Sequence, residues 1–165
     1  MDKFDEIDIR LLEVLEEDSR ISDKELASML GISEDEVKKR IKTLKEKKIL
    51  KKFKAVVDWK KLGKKLVTAI IQVKVVPQER AGFSKICKEI AKDEKVKDVF
   101  VVTGEYDLIL LVEGEDMDEL ARFVTEKLAP KREVTGTYTH IVLSEFKRNG
   151  VATFDESDKR LKVSF

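Results

Sequence analysis

Residues 22–50, SDKELASMLGISEDEVKKRIKTLKEKKIL, constrain this chain more than any other stretch. Ser22 and Glu25 have the spacing of a capping box. The hydroxyl takes an orphan N–H of the first helical turn, and the carboxylate reaches back to the cap's own N–H. Leu26, Ala27 and Leu30 follow at helical spacing as an apolar stripe. Gly31 supplies the left-handed residue that stops such a helix, and Ile32 tucks under the corner. Ser33 and Glu36 repeat the box and open a second helix, with Val37, Ile41 and Leu44 as its seam. Its other faces carry Lys38, Lys39, Arg40, Lys42 and Lys45. Two capped helices around a glycine turn, the second apolar on one side and basic elsewhere, predict a DNA-binding helix-turn-helix. A plain helical hairpin with solvated lysines is the competing reading. The turn length, the doubled box and the sign of the charge weigh against it.

The net charge of +1 conceals a strong asymmetry. Residues 2–36 are acidic, opposed only by Lys3, Arg10, Arg20 and Lys24. From residue 38 to 65 the sign flips: Lys38, Lys39, Arg40, Lys42, Lys45, Lys47, Lys48, Lys51, Lys52, Lys54, Lys60, Lys61, Lys64 and Lys65 face only Glu46 and Asp58. Such a band binds phosphates even in a near-neutral chain. The single cysteine cannot form an internal disulfide, and no apolar run reaches the ~18 residues of a membrane span. The opening residues have no apolar signal core. A cytoplasmic protein is expected. Charged residues make up 41% of the chain while Gln72, Gln78 and Asn149 are its only amides, a composition that leans towards a thermophilic source.

Along the chain, residues 5–17 predict a first helix on Ile7, Leu11 and Leu15, the third member of a small bundle. Residues 53–57 (FKAVV) predict a short strand and residues 58–65 a polar connector. Residues 67–76 read as a strand stopping at Pro77, and residues 79–92 as a helix on Phe83, Ile86, Cys87 and Ile90. Residues 96–103 and 106–113 form a hairpin turning at Gly104 and Glu105. Residues 116–128 predict another helix, and residues 134–146 the last long strand. The order β-α-β-β-α-β is the ferredoxin-like arrangement. The predicted class is thus α+β: an N-terminal winged, three-helix helix-turn-helix domain joined to a C-terminal ferredoxin-like domain. The boundaries expected are 1–52, a strand and linker over 53–65, the second domain over 66–146 and an extension over 147–165. Alternation in the extension (Leu161, Val163, Phe165) hints at one more edge strand. In the hairpin, Val99, Val101, Ile109 and Leu111 are assigned to one side and Phe100, Val102, Leu108 and Leu110 to the other. Both faces are then apolar, and one layer of helices buries only one of them. The other is expected to be covered in a dimer or larger assembly.

These residues resemble the Lrp/AsnC, leucine-responsive or "feast/famine", transcription regulators over about residues 4–146. FDEIDIRLLEVLEEDSRIS is similar to the family's opening helix, ELASMLGIS and VKKRIKTLKEKKIL to its helix-turn-helix, and VTGEYDLIL to its G-x-Y/F-D hairpin. The resemblance implies dimers joined through the ferredoxin-like domain, often assembled into octamers, with effector amino acids bound between dimers. It implies an effector site at Gly104, Glu105, Tyr106 and Asp107, faced by Thr135, Thr137, Thr139 and His140. Such a site suits a zwitterion: Asp107 or Glu105 for the ammonium, and Gly104, Thr137 and Thr139 as donors to the carboxylate. Two departures stand out. Lys48 occupies a position where the family often has Gly, and Glu34, Asp35 and Glu36 place three acids at the start of the recognition helix. Acids there favour the helix dipole but repel phosphate, although one of them can accept from cytosine N4.

The DNA-contact candidates are Ser33, Glu34, Lys38, Lys39, Arg40, Lys42 and Lys45. Arg40 either grips phosphate through its planar fork or bridges to Glu36. Asp107 either anchors an ammonium or bonds its own turn, and the threonine alternation is either a pocket wall or plain β-propensity. Cys87 reads as a core thiol, and His140, the only histidine, as a structural or pocket-wall residue. The leading function is a sequence-specific DNA-binding regulator that senses an amino acid, with no cofactor and no metal. An accessory assembly partner with weak DNA binding is the second reading. A siroheme-decarboxylase-like enzyme, similar in fold, is the third, and a lone histidine argues against it. No paired-carboxylate site, Cys-x-x-Cys, phosphate loop or Ser/His/Asp set supports catalysis.

Overall fold

A computed structural model describes residues 4–76 and 82–154, and the chain divides into two compact units, Met1–Ala55 and Val56–Phe165. In the first unit, α1 (Glu6–Glu17), α2 (Asp23–Leu30) and α3 (Glu34–Glu46) pack around Leu11, Leu15, Leu26, Ala27, Val37 and Leu44. The caps act as their residue types dictate. Ser22 accepts from the Glu25 N–H at 3.2 Å while Glu25 accepts from the Ser22 N–H at 3.0 Å. Gly31 ends α2 at φ 68°, in the left-handed region where a Cβ is strained. The second box forms only by half. Ser33 accepts from the Glu36 N–H at 3.2 Å, but the Glu36 carboxylate turns instead to Arg40 Nε at 2.9 Å. A further box was not anticipated: Asp5 and Asp8 exchange backbone N–H bonds at 3.0 and 3.1 Å and open α1.

The expected strand at residues 53–57 does not form; its backbone has no ladder partner among the described residues and stays irregular. The second unit carries the predicted β-α-β-β-α-β order: β1 (Val67–Val75), α4 (Ser84–Ile90), β2 (Val96–Val101), β3 (Leu108–Gly114), α5 (Met117–Arg122) and β4 (Val134–Ile141). α5 continues without a break into a π-helical stretch, Phe123–Leu128. The sheet is antiparallel in the order β2-β3-β1-β4, with α4 and α5 contributing Ile86, Ile90 and Leu120 to the core on one face. β4 stops at Ile141, short of the expected residue 146. After it, β5 (Lys147–Arg148) and β6 (Val151–Ala152) pair across Asn149 (φ 48°) and Gly150 (φ 83°), the two left-handed residues a tight hairpin turn needs. Residues 77–81, including Pro77 and the start of the expected helix at 79–92, lie outside the described residues, as does the hinted strand at 161–165. No helix among the described residues is long and apolar enough to cross a membrane.

The register corrects the assignment of hairpin faces. Paired residues in an antiparallel ladder share a face, and Val99 pairs Leu110, Phe100 pairs Ile109, and Val101 pairs Leu108. Val99 and Val101 therefore belong to the helix-covered side, with Leu108 and Leu110. Phe100 and Ile109 belong to the other, where one row runs Phe100, Ile109, Gln72, Tyr138 across all four strands. The next row runs Asp98, Leu111, Ile70, His140. Ile70, Phe100 and Tyr138 are 37%, 53% and 54% exposed in the single chain. This second face is uncovered and carries apolar side chains, Ile70, Phe100, Ile109, Leu111 and Tyr138, among Gln72, Asp98 and His140.

Candidate nucleic-acid interface and effector site

Helix α3 sets the first site. Its seam, Val37 and Leu44, is buried against α1 and α2, and this fixes which positions point away. Residues 38, 42 and 45 are four and seven apart, so they form one stripe on the outer surface. Lys38, Lys42 and Lys45 are exposed there, with Lys39 on the flank. Lys38 and Lys39 have no side-chain partner among the described residues. Lys42 lies 3.9 Å from Glu46, both well exposed, a contact worth little in water. Lys45 sits 4.7 Å from the centroid of the Phe53 ring, which leaves its charge intact. Ser33 caps the helix, while Glu34 and Asp35 are exposed in the first turn without partners among the described residues.

Arg40 goes elsewhere. Its Nη1 bonds both Asp5 and Asp8 at 2.8 Å, and its Nε bonds Glu36 at 2.9 Å. Side-chain exposure is 19% for Arg40 and 13% for Asp8, so this is a half-buried clasp between α1 and α3. Of the two readings of Arg40, the Glu36 bridge is present, and it is widened by two aspartates. The hydrogen bond from Arg40 holds the Asp5 carboxyl below the usual carboxylate range, and the aspartates push the guanidinium above its already high value. A carboxyl depressed in the folded state contributes stability fully above its unfolded value, about 3.9, and loses it as the pH falls through the lower folded value. Arg40→Gln is therefore expected to be less stable than the parent near neutrality. The part of the gap carried by Asp5 should shrink between neutral and acid pH, as the pH falls through its lowered folded value. Urea midpoints at the two pH values test this, and an unchanged gap would refute the linkage.

The second site lies at the end of the sheet where β1 finishes. Gly104 turns the β2–β3 hairpin at φ 133°, a value that favours glycine. Asp107 is held on both sides: its Oδ2 accepts the Val75 N–H at 2.7 Å, its own N–H donates to Val73 O at 3.1 Å, and its carbonyl accepts the Val102 N–H at 2.9 Å. The carboxylate thus closes the β1–β3 ladder at the irregularity after Lys74. Beside it, Gln72, Val101, Val102, Thr103, Glu105, Tyr106 and Ile109 line an open hollow. Glu105 is exposed and Tyr106 half-buried.

The β4 candidates are divided by the register. Thr137 pairs Val73 and Thr139 pairs Ile71 on the helix-covered side, whereas His140 pairs Ile70 on the uncovered side. Thr135 donates to Lys74 O at 3.3 Å, and His140 meets the Tyr138 ring edge-on with centroids 4.6 Å apart. Hairpin and threonines flank the same end of β1, roughly 10 Å apart across two strand spacings. In one chain none of Thr135, Thr137, Thr139 and His140 lines the hollow beside Tyr106. Among the described residues, no group of three or more His, Cys, Asp or Glu side chains is placed to hold a metal ion.

Two family models match separate parts of the chain. Residues 4–45 match the AsnC-type helix-turn-helix domain, and residues 68–152 match the Lrp/AsnC ligand binding domain. The HTH-type transcriptional regulator YugG of Bacillus subtilis is 37% identical over 98% of this chain and 99% of its own. The transcriptional regulator AzlB of the same organism is 34% identical over 93% and 97%, and FL11 of Pyrococcus furiosus 32% identical over 87% and 92%. Among solved structures, MtbAldR superposes with a TM-score of 0.77 at 27% identity, covering 88% of this chain and 97% of that one. The Neisseria meningitidis transcriptional regulator NMB0573, solved as a complex with L-Met, gives 0.69 at 27% identity over 88% and 94%.

Proposed function

The chain belongs to the Lrp/AsnC family of transcriptional regulators, and on that footing we propose that it binds defined DNA operators through α3 and is reset by a free amino acid. The observation that carries the DNA reading is the exposed stripe of Lys38, Lys42 and Lys45 alongside a buried seam, with Lys39 further round the helix. Ser33 and Glu34 stand at the helix start, where a recognition helix meets base edges. Arg40 acts as a clasp that fixes the helix against α1. For the effector, the family match and the L-Met complex of NMB0573 support an amino acid. The hollow beside Glu105 and Tyr106, turned by Gly104 and braced by Asp107, is its proposed seat. Thr135, Thr137, Thr139 and His140 are proposed to complete the site from a second copy, since one chain does not bring them to it. The uncovered sheet face supports a homodimer as the basic unit, and octamers are proposed by the same family likeness.

A second reading, an assembly partner with weak DNA binding of its own, draws on the unpartnered Glu34 and Asp35 at the head of the lysine stripe. One experiment separates the two. The chain's own upstream DNA is tested by gel shift across a salt series, with a panel of free amino acids. The expected result is a discrete, salt-sensitive complex altered by one amino acid. The absence of any specific complex at low salt would sink the operator reading in favour of the partner one.

A further inference from the structure

The β5–β6 hairpin and the turn at residues 58–64 enclose a cavity that neither the operator nor the effector reading uses. Its volume is about 270 Å³, near the lower end of the ~300–1,000 Å³ usual for small-molecule sites. Trp59 and Phe154 are its aromatic lining, and Leu66 and Val142 are among its aliphatic residues. Its charges do not balance. Arg148 is consumed by Glu145, at 2.8 Å from Nε, and by Glu113, which also faces Lys97 at 3.8 Å. Asp58 accepts the Lys60 and Lys61 N–H groups at 3.1 and 3.3 Å and keeps its negative charge. Against it stand two lining cations, Lys60 and Lys64, a surplus of one. The Lys60 ammonium has no partner among the described residues, and the Lys64 ammonium lies 5.0 Å from the Trp59 ring centroid, a contact that does not neutralise it.

We propose that this cavity is a second small-molecule site, selective for a planar aromatic anion. The ring would lie against Trp59 and Phe154, and the acid group would sit between Lys60 and Lys64. Aromatic walls favour a flat ring over an aliphatic chain, and a surplus of ammonium groups beside them selects against neutral and cationic rings. The acid is either a carboxylate, as in a small aromatic acid, or a phosphate, as in a nucleotide. The inference does not rest on the effector site, because the two share no residue.

Trp59 is the only tryptophan in the chain, so its emission reports from this wall. Anilinonaphthalene sulfonate, itself an aromatic anion, is titrated into the full-length chain while energy transfer from Trp59 is recorded. Phenylacetate and AMP are then added as competitors. A saturable signal displaced by one of them is the expected result, and the competitor that succeeds names the acid. The Lys60→Glu/Lys64→Glu variant is expected to weaken dye binding about tenfold, and Phe154→Ala to weaken it similarly. Phe100→Ala, on the uncovered sheet face, is expected to leave it unchanged. A signal that neither competitor displaces, or one lost in Phe100→Ala and kept in the lysine variant, would overturn the proposal.

Discussion

The triple variant Lys38→Gln/Lys42→Gln/Lys45→Gln is expected to bind its operator on the order of a thousandfold more weakly at ~0.1 M salt, and to lose most of its salt dependence. Each lysine on a phosphate releases a counterion, and each is worth about 0.9 in the slope of log K against log salt. A dimer loses six such lysines, so the slope should fall by about 5 if all of them touch phosphate. The variant should fold as the parent does, because these side chains are exposed and the Val37 and Leu44 seam is untouched. Arg40→Gln supplies the contrast. Its guanidinium is committed to Asp5, Asp8 and Glu36, so its loss should lower stability and leave the salt slope alone. A full slope in the triple variant, or a lost one in Arg40→Gln, would move the DNA interface off this stripe.

That contrast also marks where the sequence was legible. Caps and turns are local, so Ser22, Glu25 and Gly31 could be read at their positions, and the apolar periodicities placed α1 to α5 and β1 to β4. Partners distant in sequence are not local. Glu36 had two suitors, Ser33 and Arg40, and only the packing of α1 brings Asp5 and Asp8 close enough to recruit Arg40 and leave the capping box half made. Residues 53–57 have strand composition, but a strand exists only where a neighbour offers a ladder. Alternation in a strand divides residues between two faces without saying which face is which. That sign is set by the register, which moved Val99 and Val101 to the helix side and put His140 opposite Thr137 and Thr139. The turn at Asn149 and Gly150 was readable, since Asn-Gly between short β-forming runs is a strong hairpin signal. It lay in an extension where only the alternation of Leu161, Val163 and Phe165 had hinted at structure.

Charging the uncovered face should take the proposed dimer apart. Ile70→Glu/Phe100→Glu is expected to shift the chain from twice its 19.0 kDa mass, or a larger multiple, to the single-chain value in sedimentation or light scattering. Both side chains lie among apolar neighbours: Phe100 in the row with Ile109 and Tyr138, and Ile70 beside Leu111. In a two-fold interface each substitution occurs twice, so four carboxylates would have to be buried, with His140, the cross-strand neighbour of Ile70, close to only one of the two in each chain. Even a small fraction of the penalty for an unpaired buried charge weakens association by more than about a thousandfold. The single chain should tolerate the change, because Ile71, Leu110 and the rest of the helix-side core are not altered and the new charges meet water. Operator binding should fall with the mass, since a lone chain presents one α3 and forfeits the second half-site. A charged variant that stays assembled would put the interface elsewhere, and one that unfolds would mean this face belongs to the core of the unit itself.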